Sequence, residues 1–294
     1  MNWMALGIIA GIVLGFYDYW TKKAMVNNNA VDVTFLSAFV GALLWIPAFL
    51  NLQLFSPLEF ANTSAQEQLL IFVKSIAMSF SWLFAYYAVR ELPMSFSGAV
   101  RASGPIWTFL GGIFFFGELL SISQLIAVGV SILVYYLFSI VGKNEGIVVL
   151  KSRPMAMMLV ATLLSAMTTV YDKHLLKIFS GNLTQIQAYS ALQRAIICFA
   201  IFFYLRRGSI SGILKTINPY VVLVGASWIA AEWIYFFALS DPNSNLTYFS
   251  VFRRFSLVVG FILSIFLIGE TQVFRKSILI GFLLASSIYL IVIH

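Results

Sequence analysis

Charge is what this sequence has least of. Only 10% of its 294 residues are Asp, Glu, Lys or Arg, where a water-soluble domain carries about a quarter. The chain is 61% hydrophobic and its mean hydropathy is +0.94. An ordinary soluble domain is therefore excluded, and membrane-spanning segments are expected. The one cysteine, Cys198, excludes an internal disulfide. The two histidines, His174 and His294, stand apart, and no His/Cys set has metal-ligand spacing. With no nucleophile elbow and no paired-carboxylate motif either, no enzyme activity and no cofactor are expected. A Walker motif is missing, which rules out ATP binding in the usual manner. There is no long basic run or RNA-binding motif, so the net charge of +7, spread over loops and helix ends, gives no reason to expect nucleic acid. Met1–Trp3 has no basic residue and the apolar stretch runs on to Tyr17, so the first segment is read as a retained helix, not a cleaved signal.

What is present is apolar sequence in helix-length blocks. The blocks do not alternate polar and apolar residues as barrel strands do, so helices are the spanning element. A span needs about 20 apolar residues. Ten windows fit: 3–25, 31–51, 68–89, 94–117, 121–141, 155–178, 184–205, 219–239, 244–268 and 273–293. The basic segment 142–154 (GKNEGIVVLKSRP) lies at the midpoint.

The two halves echo one another. Tyr17-Asp18 recurs as Tyr171-Asp172, and Lys23 as Lys177. Gly117-Glu118 closes the fourth window and Gly269-Glu270 the ninth, with Arg101 and Arg253 each 17 residues earlier. The aromatic run at Phe84–Ala88 is echoed at Tyr235–Ala238. These matches keep their order at offsets of 150 to 154. Five helices per half is odd, so the halves insert in opposite orientations. The expected fold is an all-α polytopic membrane protein: ten transmembrane helices as two inverted five-helix repeats, 1–141 and 155–294, joined by the loop 142–154.

With ten windows, a five-plus-five repeat, a Gly-Glu closing the fourth and ninth, and short loops, the whole chain resembles the drug/metabolite transporter superfamily, EamA-like branch. The resemblance implies a secondary transporter; no cofactor, a bacterial plasma (inner) membrane, a small-molecule substrate and membrane lipid as partners, and a monomeric state are the further expectations. In the phosphate-translocator branch of that superfamily, a basic residue on helix 4 and a Lys-Arg pair on helix 9 hold the substrate phosphate. Arg101 and Arg253-Arg254 fall on those helices here, with arginine where that branch favours lysine and no histidine on the third helix. The resemblance also implies cytoplasmic termini. The charge bias points the other way: eleven Lys and Arg, Lys22 to Lys276, sit on the side where the odd-numbered windows end, against Lys173 and Lys177 on the other.

A charge in the bilayer centre costs at least about 2.5–3.5 kcal/mol. The intramembrane candidates therefore need a reason. Arg101 and Arg253 lie about 25 Å from the Gly-Glu ends of their helices, and Arg254 adds a third guanidinium. They either bind an anion, whose carboxylate or phosphate matches the guanidinium fork, or snorkel and pair internally with Glu232 or Asp172. Lys74 and Arg194 are further substrate-binding candidates. Lys74 is otherwise a snorkelling lysine, and Arg194 an ion-pair member. Asp18 and Asp172 have basic neighbours one turn away, Lys22 for the first and Lys173 or Lys177 for the second, so they form local pairs or couple protons. Glu232 neutralises an arginine in the empty state or carries a coupled proton. Tyr86, Trp107 and Tyr235, with Tyr87, Trp82 and Trp233, are cavity-lining or core aromatics, and Trp3 and Trp45 interface anchors or packing residues. Pro93, Pro105 and Gly111-Gly112 bend the fourth helix, whereas the ninth has no interior proline and is expected to be stiffer.

The function expected from these residues is secondary transport of a small anionic metabolite, phosphorylated or carboxylated, by alternating access. Export of amino acids or of aromatic or cationic compounds is an alternative. So is a flippase for an anionic, polyprenyl-phosphate-like lipid, which needs a cavity open sideways to the bilayer.

Overall fold

The computed structural model describes residues 3–50, 63–101, 103–117, 152–179, 183–210, 212–253, 255–267 and 273–292, with scattered positions between 121 and 137. Among them every regular element is a helix. In chain order these are α1 (Trp3–Ala24), α2 (Ala30–Leu43), α3 (Ile46–Phe49), α4 (Ala65–Glu91), α5 (Met94–Arg101), α6 (Gly104–Phe116), α7 (Arg153–Ile178), α8 (Leu183–Leu205), α9 (Ile213–Thr216), α10 (Pro219–Leu239), α11 (Leu246–Phe252), α12 (Phe255–Leu267) and α13 (Val273–Val292).

Local sequence explains where several begin and end. Asn29 accepts the Val31 N–H at 3.0 Å and starts α2. Ser64 and Glu67 form a reciprocal capping box at α4. Ser152 with Pro154 opens α7, and Asn218 with Pro219 opens α10; proline at the first turn gives up an N–H that had no helical partner. Gly117, in the left-handed region with φ of 65°, ends α6. α1, α4, α7, α8 and α10 are long and apolar enough to cross a membrane, and α2, α6 and α12 are shorter apolar helices.

Among the described residues three windows are divided. The second is α2 with the short α3, and the fourth is α5 and α6, separated just after Arg101. The ninth, expected to be the stiffer, is α11 and α12, separated at Arg253 without any proline. α1 packs closely on the separation: a Cβ placed on Gly11 would stand 2.5 Å from the Phe252 carbonyl oxygen. Gly7, Gly11 and Gly15 recur every four residues on one stripe of α1, against Phe249 and Phe252, the α11–α12 junction, and Val259. In a membrane, where apolar burial gives helices no drive to associate, small residues permit the close packing that does.

Helices from the first half pack chiefly on helices from the second. α1 lies on α10 and α12, α4 on α7 and α8, α2 on α8 and α10, and α6 on α7 and α11. Trp3 is buried against Phe249, ring centroids 5.8 Å apart, and Trp45 stacks on Trp233 at 5.3 Å. Both therefore act as packing residues. Glu118, Gly269-Glu270, Arg254 and most of the fifth window and of the segment 142–154 lie outside the described residues.

Candidate functional site

The two helix separations face the same space. A cavity of about 70 Å³ lies between α1, α4, α7 and α10, and both Arg101 and Arg253 line it, with Tyr17, Asp18, Trp82, Thr169 and Trp228. Breaks of this kind free backbone groups and place side chains where a continuous apolar span would not, and in membranes they occur where backbone lines a cavity.

Each junction arginine holds an acid from a neighbouring helix. Arg101 Nη1 donates to Asp18 Oδ1 of α1. Arg253 Nη2 lies 3.5 Å from Glu232 Oε1 of α10, and its guanidinium sits over the Tyr235 ring, 4.5 Å from the centroid. Asp18 thus pairs across helices and not with Lys22, whose ammonium donates to the Val89 and Leu92 carbonyls, 2.7 Å each, at the end of α4. Asp172 also departs from the local pairing. Its Oδ1 lies 2.8 Å from Lys74 Nζ of α4, at angles outside hydrogen-bond range, and both side chains are buried. Lys173 donates instead to the Ser244 carbonyl, and Lys177 sits over the Phe116 ring. The reason is directional: Asp18 and Asp172 are on the inward faces of their helices, and lysines at helix ends find unpaired carbonyls closer than those carboxylates. Lys74 does not snorkel. It is 1% exposed, with its ammonium 4.2 Å from the Phe236 ring centroid.

Around the cavity, the charges of the described residues do not balance. Lys74, Arg101 and Arg253 are matched by Asp172, Asp18 and Glu232. Arg194 of α8 is 2% exposed, and among the described residues no carboxylate lies within ion-pair distance of it. Its guanidinium is 4.5 Å from the Trp82 ring centroid and 5.7 Å from that of Trp228. Those two indoles meet edge to face at 4.9 Å; Tyr17 packs against both, Tyr86 stacks on Trp82, and the Tyr17 hydroxyl donates to the Tyr86 hydroxyl at 3.2 Å. Arg194 Nε and the N–H groups of Trp82 and Trp228 are buried with no acceptor among the described residues. Buried donors are nearly always satisfied in folded proteins; two of these three belong to side chains that line the cavity, and Arg194 packs on both of them.

The sequence candidates therefore separate into groups. Arg101, Arg253 and Asp18 line the central cavity; Arg194, Tyr86, Glu232 and Tyr235 lie just behind that lining; Arg254 lies outside the described residues. Lys74 and Trp107 line a different pocket, between α4, α6 and α7. Trp228 was not among the candidates. In sequence it is one more aromatic in an apolar span, and its partner across the cavity, Trp82, comes from the other half of the chain.

These helices and this charged, membrane-embedded interior define the class: an integral membrane protein built wholly of helices in its described part. Residues 1–140 match the EamA-like transporter family, consistent with the drug/metabolite transporter superfamily, and that match implies a membrane transporter of small molecules. One solved structure, described only as the crystal structure of a protein, aligns over 99% of this chain and 96% of its own, with a TM-score of 0.70 and 14% identity. At that identity the likeness is one of fold. No curated protein matches this sequence.

Proposed function

We propose that the protein is a secondary transporter of a small anionic metabolite, which binds in the central cavity between Arg101, Arg253 and the Trp82–Trp228 pair. One observation supports this reading: among the described residues around the cavity, the cations Lys74, Arg101, Arg253 and Arg194 outnumber the carboxylates Asp172, Asp18 and Glu232 by one, and Arg194 stands with two indole N–H groups that have no acceptor among the described residues. A carboxylate or phosphate brings the missing negative charge and supplies only acceptors.

Alternating access follows from the same groups. The cavity is narrow, so a metabolite enters only when the helices around it part. The bodies that part are the halves 1–141 and 155–294, and the cross-half pairing of α1 with α10 and of α4 with α7 is what a two-fold relation between inverted repeats requires. Arg101 and Arg253 exchange their acids for the substrate, and the neutralised site then passes through the closed state at lower electrostatic cost.

A second reading, export of amino acids or of aromatic or cationic compounds, draws on Asp18 beside the four-ring cluster of Tyr17, Trp82, Tyr86 and Trp228, which suits an ammonium group. A panel of carboxylates, phosphorylated metabolites, amino acids and cations, each tested for thermal stabilisation of purified protein, separates the two. Stabilisation by anions, lost in Arg101→Gln and Arg253→Gln together with uptake into liposomes, is the expected result. Stabilisation by cations alone, or wild-type uptake by both variants, overturns it.

A further inference from the structure

A second pocket, larger and more apolar, lies apart from the central cavity. Between α4, α6 and α7 lies a pocket of about 540 Å³, lined by Val73, Ala77, Trp107, Phe115, Met167 and Tyr171 among others. Its depth can be read from α7. Met167 is 14 residues from Arg153 and 11 from Ile178, about 21 and 17 Å along the axis at 1.5 Å per residue. It therefore stands in the middle of the span, and it is 59% exposed. An exposed apolar residue at that depth faces acyl chains, so the pocket opens sideways to lipid. Val73 and Phe115 are exposed on the same rim.

The other end of the pocket has a different character. His174, also a lining residue, is only four residues, about 6 Å, from the end of α7 and is exposed. Phe116, on the same wall, has the exposed Lys177 ammonium 4.7 Å from its ring centroid and the Lys173 ammonium at 5.6 Å. Lys173 and Lys177 are the two basic residues on a membrane face otherwise poor in them. The mouth of an apolar channel running from headgroup level to mid-bilayer thus carries a local cluster of cations.

We propose that this pocket is a binding site for one anionic phospholipid, with an acyl chain lying from Phe116 to Met167 and the headgroup phosphate on Lys177 and His174. Length, polarity and sign agree. The apolar part ends near mid-bilayer, as a single leaflet's chain does, and the basic part lies at headgroup level, where a cation attracts anionic lipid. Water does not stably fill an apolar space of this kind. The bound chain covers Lys74, another lining residue, and so shields the Lys74–Asp172 pair from the bilayer side. The site is independent of what the central cavity carries.

The test uses detergent-purified full-length protein titrated with dioleoyl-phosphatidylglycerol or dioleoyl-phosphatidylcholine, with bound lipid counted by native mass spectrometry. Phosphatidylglycerol should bind more tightly than phosphatidylcholine. Lys177→Gln should weaken the first about fivefold, the factor for one interfacial cation, and leave the second unchanged. Ala77→Phe, which fills the pocket, should weaken both lipids. Met167→Trp, at the exposed rim, serves the same purpose if Ala77→Phe does not fold. Excess inorganic phosphate should displace neither lipid. Equal affinity for the two lipids, or full lipid binding by a folded pocket-filling variant, overturns the proposal. Displacement by phosphate would show a free-anion site instead and overturn it as well.

Discussion

Gly11 of α1 lies against the Phe252 carbonyl so closely that a Cβ there would stand 2.5 Å from that oxygen and 3.3 Å from Arg253 Cα. The backbone of the first span thus touches the junction that carries a cavity arginine. The contact fixes how far Arg253 projects toward Glu232 and the central cavity, and it exists only because position 11 has no side chain.

Gly11→Ala should therefore displace the α11–α12 junction. Overpacking of this kind costs about 1–3 kcal/mol, here against backbone that cannot rotate away. The expected outcome is a lower melting temperature and loss of ligand-induced stabilisation. Gly281→Ala in α13 is the control, because nothing lies within 4 Å of its added Cβ and alanine is the better helix former by about 1 kcal/mol. Equal stability of the two variants would mean that the contact does not position the junction.

The central arginines were legible in the sequence because a charge in an apolar window needs a reason, and the repeat placed Arg101 and Arg253 at matching positions. Their partners were not. Nearness in sequence favoured Lys22 for Asp18 and Lys173 or Lys177 for Asp172, but which face of a span turns inward depends on packing with helices far away in sequence. Lys74 and Asp172 are 98 residues apart, and no local pattern joins them. The Gly7–Gly11–Gly15 spacing was visible and does predict close helix packing. The division of the ninth window had no signal of its own, and the contact beside it comes from α1, in a distant segment.

The Lys74–Asp172 pair yields a double-mutant prediction. Both side chains are almost fully buried, at 1% and 5% exposure. Removing one partner of a buried pair costs about 3–5 kcal/mol, chiefly because the other charge is left unmatched. Asp172→Asn should be strongly destabilising, and Lys74→Met added to it should recover most of the loss. Additive losses in denaturant unfolding of the two single variants and the double variant would show that the pair is not coupled.

Asp18 and a bound anion compete for one guanidinium. Asp18→Asn removes the resident acceptor from Arg101, so an anionic ligand should bind more tightly to the variant, by up to roughly tenfold for about 1.4 kcal/mol of released competition. Turnover should fall at the same time, since the arginine then has no acid to return to when substrate leaves. Thermal titration gives the affinity and liposome uptake gives the rate. Weaker anion binding by Asp18→Asn would place the carboxylate among the groups that support the ligand instead.

Arg194 separates stability from function most sharply. As a structural residue it is costly: a charge buried between Trp82 and Trp228 gains cation–π attraction of about 2 kcal/mol against a desolvation penalty of several kcal/mol, with no carboxylate within ion-pair distance among the described residues. Arg194→Leu should therefore leave unfolding stability unchanged or raise it, while abolishing ligand-induced stabilisation and uptake. Arg194→Lys keeps the charge but loses the planar fork and its stacking on the indoles, and should keep part of the affinity with a different ranking of carboxylates against phosphates. If Arg194→Leu unfolds readily and Arg194→Lys restores stability without any change in that ranking, the guanidinium belongs to the core and the anion site loses its surplus charge.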